Sequence, residues 1–419
     1  MKKIITIISF GFILIIIHYC LNDNNYYKTA MVEENKSNML SMMLETKQGS
    51  GEYELVNASK WPTEGYVFNK ELSKCENGGE LSWDDTKKII VMNSVGSDKC
   101  YVYFDVSIKP LIEYVLSKYT GIQGENNIYY HDNSLTNSAK DGSYRYAGAS
   151  DTTNNFVCFG TDSATCSYDD LYRIIGVFGD NYHGISGRQL IKLIKYDYNT
   201  ETQLGTNGEY HKNFSNSTTY KGHLTSISAY YWDKTNKKND WSNTALNTIN
   251  LNTNFLNYLG QDWTDKIQKV NWKIGGNTYA KIISVTPSVS YQSEVVNPAS
   301  SSVYNAKIGL IYVSDYYYAA NPSAWTLIGY DVNDDATKDY RAANDVNWMY
   351  MGSSDWTITR YSHQEGYAFY VSNDGYVHGR EILNGLVEGP GSIRVTFFLV
   401  PTTTYVSGSG TISDPIRIN

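Results

Sequence analysis

LYRIIGVF at residues 171–178 and LIKLIKYDY at residues 190–198 are the stretches on which the fold class turns. Both are short, mainly apolar, and rich in β-branched and aromatic residues, which suits strands packed in a sheet. The connection Gly179–Gln189 makes them a strand pair. Further along, helical signals stand at Thr244–Leu251 and Asn254–Leu259, and Gly260 stops the second. Strand signals resume at Ala306–Val313, Trp356–Arg360, Tyr367–Val371 and Ser392–Val400. Strands, then helices, then strands predict an α+β domain, mostly β, over residues 146–419.

Working back towards the N-terminus, residues 51–106 read as a small β domain. Its candidate strands are Tyr53–Val56, Gly65–Asn69, Lys88–Met92 and Tyr101–Val106, with turns at Asn77-Gly78-Gly79 and Gly96-Ser97-Asp98. Residues 107–145 read as a helix and linker. Pro110 suits the first turn of a helix over Ile108–Tyr119, Gly121 ends it, and Leu111, Tyr114 and Val115 share a face. The segment Gly121–Ser150 is rich in Gly, Asn, Ser and Asp, as connecting chain is. Residues 23–50 read as a stalk, in which Asn38–Glu45 has the composition of a helical turn or two.

Residues 1–22 set the compartment. Lys2 and Lys3 precede an apolar run, Ile4–Ile17, as in an export signal. No A-x-A pattern follows, so the expectation is an uncleaved signal anchor crossing the lipid bilayer through residues 4–21, with the C-terminal part outside. Acylation at Cys20 and prepilin-type processing at Gly11-Phe12 are the alternatives, and the bulky His18-Tyr19 and Ile16 disfavour them in turn. Four further cysteines, Cys75, Cys100, Cys158 and Cys166, form two sequence-local pairs. Four cysteines allow three connectivities. Local pairing, Cys75–Cys100 and Cys158–Cys166, suits two separate β units in an oxidising exterior. Without C-x-x-C or a histidine at zinc spacing, a metal is not expected.

Net charge is −8, which leaves no basic stripe for nucleic acid. Tyr is abundant, at 38 residues. Tyr suits half-buried sheet positions and interfaces alike, though an AT-rich coding bias would also enrich it. No G-x-S-x-G elbow and no H-E-x-x-H motif occurs. Asp331–Asp335 opens like a calcium loop but lacks the Gly and Glu that such a loop requires. Asp315, Asp345 and Glu365 are carboxylates that could converge in the folded chain, although a solvated acidic rim is the plainer reading. No catalytic residue and no cofactor is therefore assigned.

Several stretches carry a resemblance. Met43–Asp85, Ser97–Asp105, GSYRYAGA (142–149), NNFVCFGTDSATC (154–166), DDLYRIIGVFGD (169–180), LNTNFLNYLG (251–260), AKIGLIYVSDYYYAANPSAW (306–325) and NWMYMGSSDWTITR (347–360) resemble a family of Firmicutes-type surface proteins. Trp356–Arg360 and Ile393–Leu399 are similar to two hallmark strands of the C-type-lectin-like fold shared by formylglycine-generating enzymes, with Val395 in place of a proline. The resemblance implies a small disulfide-stapled β domain followed by a C-type-lectin-like domain. It does not imply the enzyme activity, because no cysteine follows Cys166.

The candidate binding patch is Asp315-Tyr316-Tyr317-Tyr318. In a strand, alternate side chains take opposite faces, so at least one ring would meet water. Trp325, Arg341 and Tyr361 are placed to join it, while Trp348 and Trp356 read as core. The expected function is a membrane-tethered extracellular recognition or adhesion module for glycans or proteins. The alternatives are a structural subunit of a surface or pseudopilus-like assembly, and an extracellular enzyme.

Overall fold

The computed structural model describes residues 39–419 except 63–64, 94–95, 108, 180–186, 215–226, 235, 237, 279–285, 299–302, 326–345, 374, 376 and 382–390. Of the first 38 residues it describes Ile16–His18 and Tyr27–Thr29, two short extended segments paired antiparallel. The rest of the apolar run expected as a membrane helix at 4–21 lies outside the described residues. Among the described residues, no helix is long and apolar enough to cross a membrane. The chain divides into two compact units, Met1–Lys109 and Pro110–Asn419.

The first unit is built on strands β1 (Met39–Glu45), β2 (Tyr53–Val56), β3 (Tyr66–Cys75), β4 (Glu80–Asp84), β5 (Ile89–Asn93) and β6 (Lys99–Val106). They form a four-stranded sheet of order β2-β1-β6-β3 and a β4–β5 hairpin. Only the β1–β6 pair is parallel within the four-stranded sheet. The core is small: Met42, Leu44, Val102 and Phe104 are buried, with Leu81, Trp83 and Ile90 of the hairpin packed on them. Trp83 meets Phe104 edge-on at 4.9 Å. The disulfide Cys75–Cys100 joins register partners on β3 and β6. A core this small gains much from such a staple.

One expectation is corrected here. Asn38–Glu45, read as stalk with a helical turn, supplies strand β1 over Met39–Glu45. Met and Leu favour helices locally, but Leu40, Met42 and Leu44 also alternate. Pairing with β6 buries that face, and tertiary packing outweighs propensity.

The second unit is mostly β, with an open sheet at its centre. Helix α1 (Leu111–Leu116) precedes it, with Leu111, Tyr114 and Val115 buried on one face as the periodicity requires. The sheet runs β7 (Ile128–Tyr130), β8 (Tyr144–Tyr146), β10 (Leu171–Gly179), β11 (Gln189–Lys195), β14 (Thr396–Leu399) and β12 (Ile267–Gln268), with all pairs antiparallel. Two more strands add to this path: β9 (Phe156–Cys158) pairs with β10, and β13 (Ile308–Gly309) with β14. The opening pair, 171–178 and 190–198, thus supplies the two middle strands. Both of their faces are covered, which explains their nearly continuous apolar runs. Gly176 sits at the irregularity in the β10–β11 register, where a Cβ would meet the Tyr144 carbonyl oxygen at 2.3 Å. No other residue lets β8 come so close.

A second, four-stranded sheet contains Gly276–Asn277, Asp355–Tyr361, Tyr367–Val371 and Val377–Glu381. Around both sheets lies a core holding Trp232, Trp241, Trp272, Trp325, Trp348 and Trp356, all fully buried. The second disulfide, Cys158–Cys166, closes a short loop after β9.

Two further expectations are corrected in this unit. Gly121–Ser150 is not a plain linker, because it contains β7 and β8. Its Gly, Asn and Lys residues serve as turn positions between short Tyr-rich strands, with positive φ at Asn126, Asn127, Asn137 and Lys140. Ala306–Val313 is not one strand: Val303–Ala306 and Ile308–Gly309 belong to different sheets, and Val313 begins a helix.

Candidate functional site

Asp315–Tyr318, expected as a strand, lies in helix α3 (Val313–Tyr318). The Asp315 carboxylate accepts from the Tyr312 backbone N–H at 3.0 Å, so it closes the first turn of the helix. A four-residue tyrosine-rich stretch carries no period long enough to separate helix from strand. The helix turns its side chains inward. Asp315, Tyr316 and Tyr318 are buried, and Trp325 is too. The Tyr316 hydroxyl donates to the Gly375 carbonyl at 2.8 Å, and that of Tyr318 to the Asn137 carbonyl at 3.1 Å. The Trp325 indole N–H donates to the Ala320 carbonyl at 2.9 Å. Tyr317 and Tyr361 are half-buried, and Tyr361 stacks on Phe369 with ring centroids 4.5 Å apart. Arg341 and Asp345 lie outside the described residues, and Glu365 is exposed whereas Asp315 is buried. The described part of the expected patch is therefore largely core and does not form an open tyrosine face.

Around Asp315 the second unit buries an unusual set of charges. Lys192 Nζ is 2.5 Å from Asp315 Oδ2, and the two side chains are 0% and 1% exposed. Arg145 Nη1 is 3.8 Å from Asp315 Oδ1, while its Nη2 pairs with Asp141 at 2.7 Å. Burial works against the Asp141 carboxylate, but the Arg145 guanidinium overrides it and holds the group below the usual carboxylate range. Burial lowers the Lys192 ammonium from its ordinary value, with Asp315 opposing. Helix α2 (Pro287–Tyr291) runs on through Gln292–Val296 and brings in Glu294. Glu294 accepts from Ser290 Oγ at 2.8 Å, Thr359 Oγ1 at 3.1 Å and Ser314 Oγ at 2.6 Å. Burial pushes its carboxyl up to about 7 despite these donors. Beside them His131 is fully buried and held well below its ordinary value by burial and by Arg145.

A second buried pair, Arg394–Asp355 at 2.6 Å, ties the strand carrying Trp356 to the closing strand region. Arg173 is buried and has no carboxylate partner among the described residues. It donates to the Asn155 side chain and the Thr153 carbonyl, and it lies over the Trp348 ring. The charged side chains of these clusters are buried in the core of the second unit.

An open cleft is found elsewhere among the described residues. A cleft of about 290 Å³ is lined by Asp169, Thr200, Glu201, Thr202, Gln203, Ser228 and Tyr258. This lies near the lower end of ligand-sized cavities, roughly 300–1,000 Å³. Its floor is built locally. Thr200 and Gln203 bracket the turn Glu201–Leu204 as a reciprocal capping box, and Gln203 is buried. The Gln203 side-chain oxygen accepts from Asn199 at 2.9 Å, which aims its amide nitrogen at Asp169 and the Tyr258 hydroxyl. Glu201 accepts from the Tyr210 hydroxyl at 2.5 Å. Tyr258 stands on the helical run ending at Leu259 and is 41% exposed. Lys195, fully buried, brings its Nζ to 3.8 Å from Asp169 and has no hydrogen-bond partner among the described residues. The cleft thus offers carboxylates, hydroxyls, an amide and one aromatic ring. No motif or spacing in the sequence marks these residues as a site. The T-x-x-Q spacing of Thr200 and Gln203 was the one legible signal, and it marks a helix start whether or not a site follows.

Cys75, Asp98 and Cys100 bring ligand-type atoms together. Both cysteines are spent in a disulfide, so the cluster offers one carboxylate and no thiolate. Asp98 instead accepts from the backbone N–H groups of Asn77 and Gly79, which holds the turn.

No protein-family model matches the chain, and neither a curated protein nor a solved structure does.

Proposed function

We propose that this chain is an exported surface protein, held at the membrane by its N-terminal apolar run, and that its second unit is a non-catalytic recognition module for neutral glycans. The cleft beside Tyr258 carries this reading. A sugar presents an apolar C–H face and a rim of hydroxyls that both donate and accept. The half-exposed Tyr258 ring suits the face, while Asp169, Glu201, Gln203, Thr200 and Thr202 suit the rim. Both disulfides support an oxidising compartment outside the cytoplasm. A C-type-lectin-like build for this unit is part of the same proposal. It is supported by Trp356–Arg360 and Ile393–Leu399 lying at the centre of the domain, joined through Asp355–Arg394.

Isothermal titration of the full-length chain with a panel of neutral disaccharides tests the proposal. Binding to at least one of them, weakened tenfold or more by Tyr258→Ala with an unchanged circular dichroism spectrum, is the expected result. Silence across the panel, or binding indifferent to Tyr258→Ala, would remove the glycan reading.

One observation favours a second reading, a structural subunit of a surface assembly. On the sheet face of the first unit opposite its core, Met39, Leu55 and Val67 are exposed and Met43, Tyr53, Tyr101 and Tyr103 are half-buried. An open apolar and aromatic face of this kind suits contact with another chain.

A further inference from the structure

The Lys192–Asp315 pair is placed for more than an ion pair. The two groups are 2.5 Å apart, unexposed, and far apart in sequence, one on β11 and the other in the first turn of α3. The ammonium is ringed by aromatic groups: Tyr312 at 4.7 Å, Trp272 at 5.4 Å, Phe398 at 5.5 Å and Phe178 at 5.7 Å. In so apolar a shell an ion pair is held at a desolvation cost that a neutral product avoids.

We propose that Lys192 and Asp315 condense into an intramolecular amide, an isopeptide cross-link between β11 and α3. The bookkeeping is closed. A proton passes from Nζ to Asp315 Oδ2, giving an amine and a carboxylic acid. The Nζ lone pair attacks Cγ and forms the C–N bond. Oδ2 then leaves as water, taking the two hydrogens that the ammonium loses, and Oδ1 remains as the amide carbonyl. No oxidant, reductant or second substrate is involved.

Three features of the surroundings favour the step. Burial lowers the Lys192 ammonium, which eases the first proton transfer. Arg145 Nη1, with no hydrogen-bond partner among the described residues, stands 3.8 Å from Oδ1, where negative charge gathers in the tetrahedral intermediate. Glu294 acts as a positioning residue. It accepts from the Ser314 N–H at 3.1 Å and the Ser314 hydroxyl at 2.6 Å, which fixes the turn that presents Asp315. Two groups so held react with effective concentrations that reach roughly 10⁵–10⁸ M in well-oriented systems. A dry site also keeps water from driving the reverse reaction.

The test is the mass of the native full-length chain after reduction and denaturation. It is expected to be one water lighter than the reduced sequence. Trypsin is expected to leave a branched peptide joining the Lys192 and Asp315 segments, with no cleavage after Lys192. Lys192→Met is expected to restore the full mass. An unmodified wild-type mass together with tryptic cleavage after Lys192 would overturn the proposal, whether or not the variant folds. Loss of water that maps to any other pair of residues would overturn it too.

Discussion

The two units use β-structure in opposite ways. In Met39–Lys109 the buried apolar core is four side chains, most sheet positions are half-exposed, and a disulfide spans the β3–β6 pair. In Pro110–Asn419 the central strands are buried on both faces, and Arg145, Arg173, Lys192, Lys195 and Arg394 are buried with them. The small unit buries two carboxylates, Glu45 and Asp98, each held by backbone N–H donors, and it relies on a covalent staple beside its small core. A large unit buries enough apolar area to carry charges, most of them held by a carboxylate or by neutral acceptors. The difference teaches where each unit is fragile: the first at its covalent link, the second at its charge partners.

The sharpest way to break this contrast is Asp355→Ala. It strands Arg394 in the core, where the guanidinium now has a 2.6 Å contact with the carboxylate. The expected loss is about 3–5 kcal/mol. Hydrogen exchange should accelerate across Asp355–Tyr361 and Thr396–Leu399, with no change in the first unit. A loss below about 1 kcal/mol would place that pair with solvated surface pairs. Next in size, Cys75→Ser with Cys100→Ser should cost the first unit ~3 kcal/mol in the chain-entropy account. Exchange in β1, β3 and β6 should speed up while the second unit holds. Equal protection with and without the bridge would mean that the small core suffices. The smallest expected effect is that of Leu55→Asp, at 69% exposure. Stability should change by no more than about 0.5 kcal/mol. Sedimentation should nonetheless show any self-association of the full-length chain reduced. An assembly that persists unchanged would remove this sheet face from the structural-subunit reading.

Much of the fold is legible in the sequence. Strands at 53–56, 101–106, 367–371 and 356–360, the helix face Leu111–Tyr114–Val115, and the cysteine pairing all follow from local pattern. The errors have one cause. Met39–Glu45, Gly121–Ser150 and Asp315–Tyr318 carry local signals for one state, and their partners impose another. Short segments with two workable periodicities are settled by what they pack against. The cleft was invisible for a related reason. Asp169, Gln203 and Tyr258 come from three separate segments, and no spacing rule links them.

By itself, then, the sequence determined a mostly β chain with export-type patterning at its start and two local sulfur pairs, because composition, period and short spacings are properties of neighbouring residues. Only the tertiary structure decided that Asp315 faces Lys192 inside the core, that the three tyrosines after it ride a helix, and that Tyr258 borders the cleft. Those contacts join residues far apart along the chain, and long-range packing alone brings them within reach.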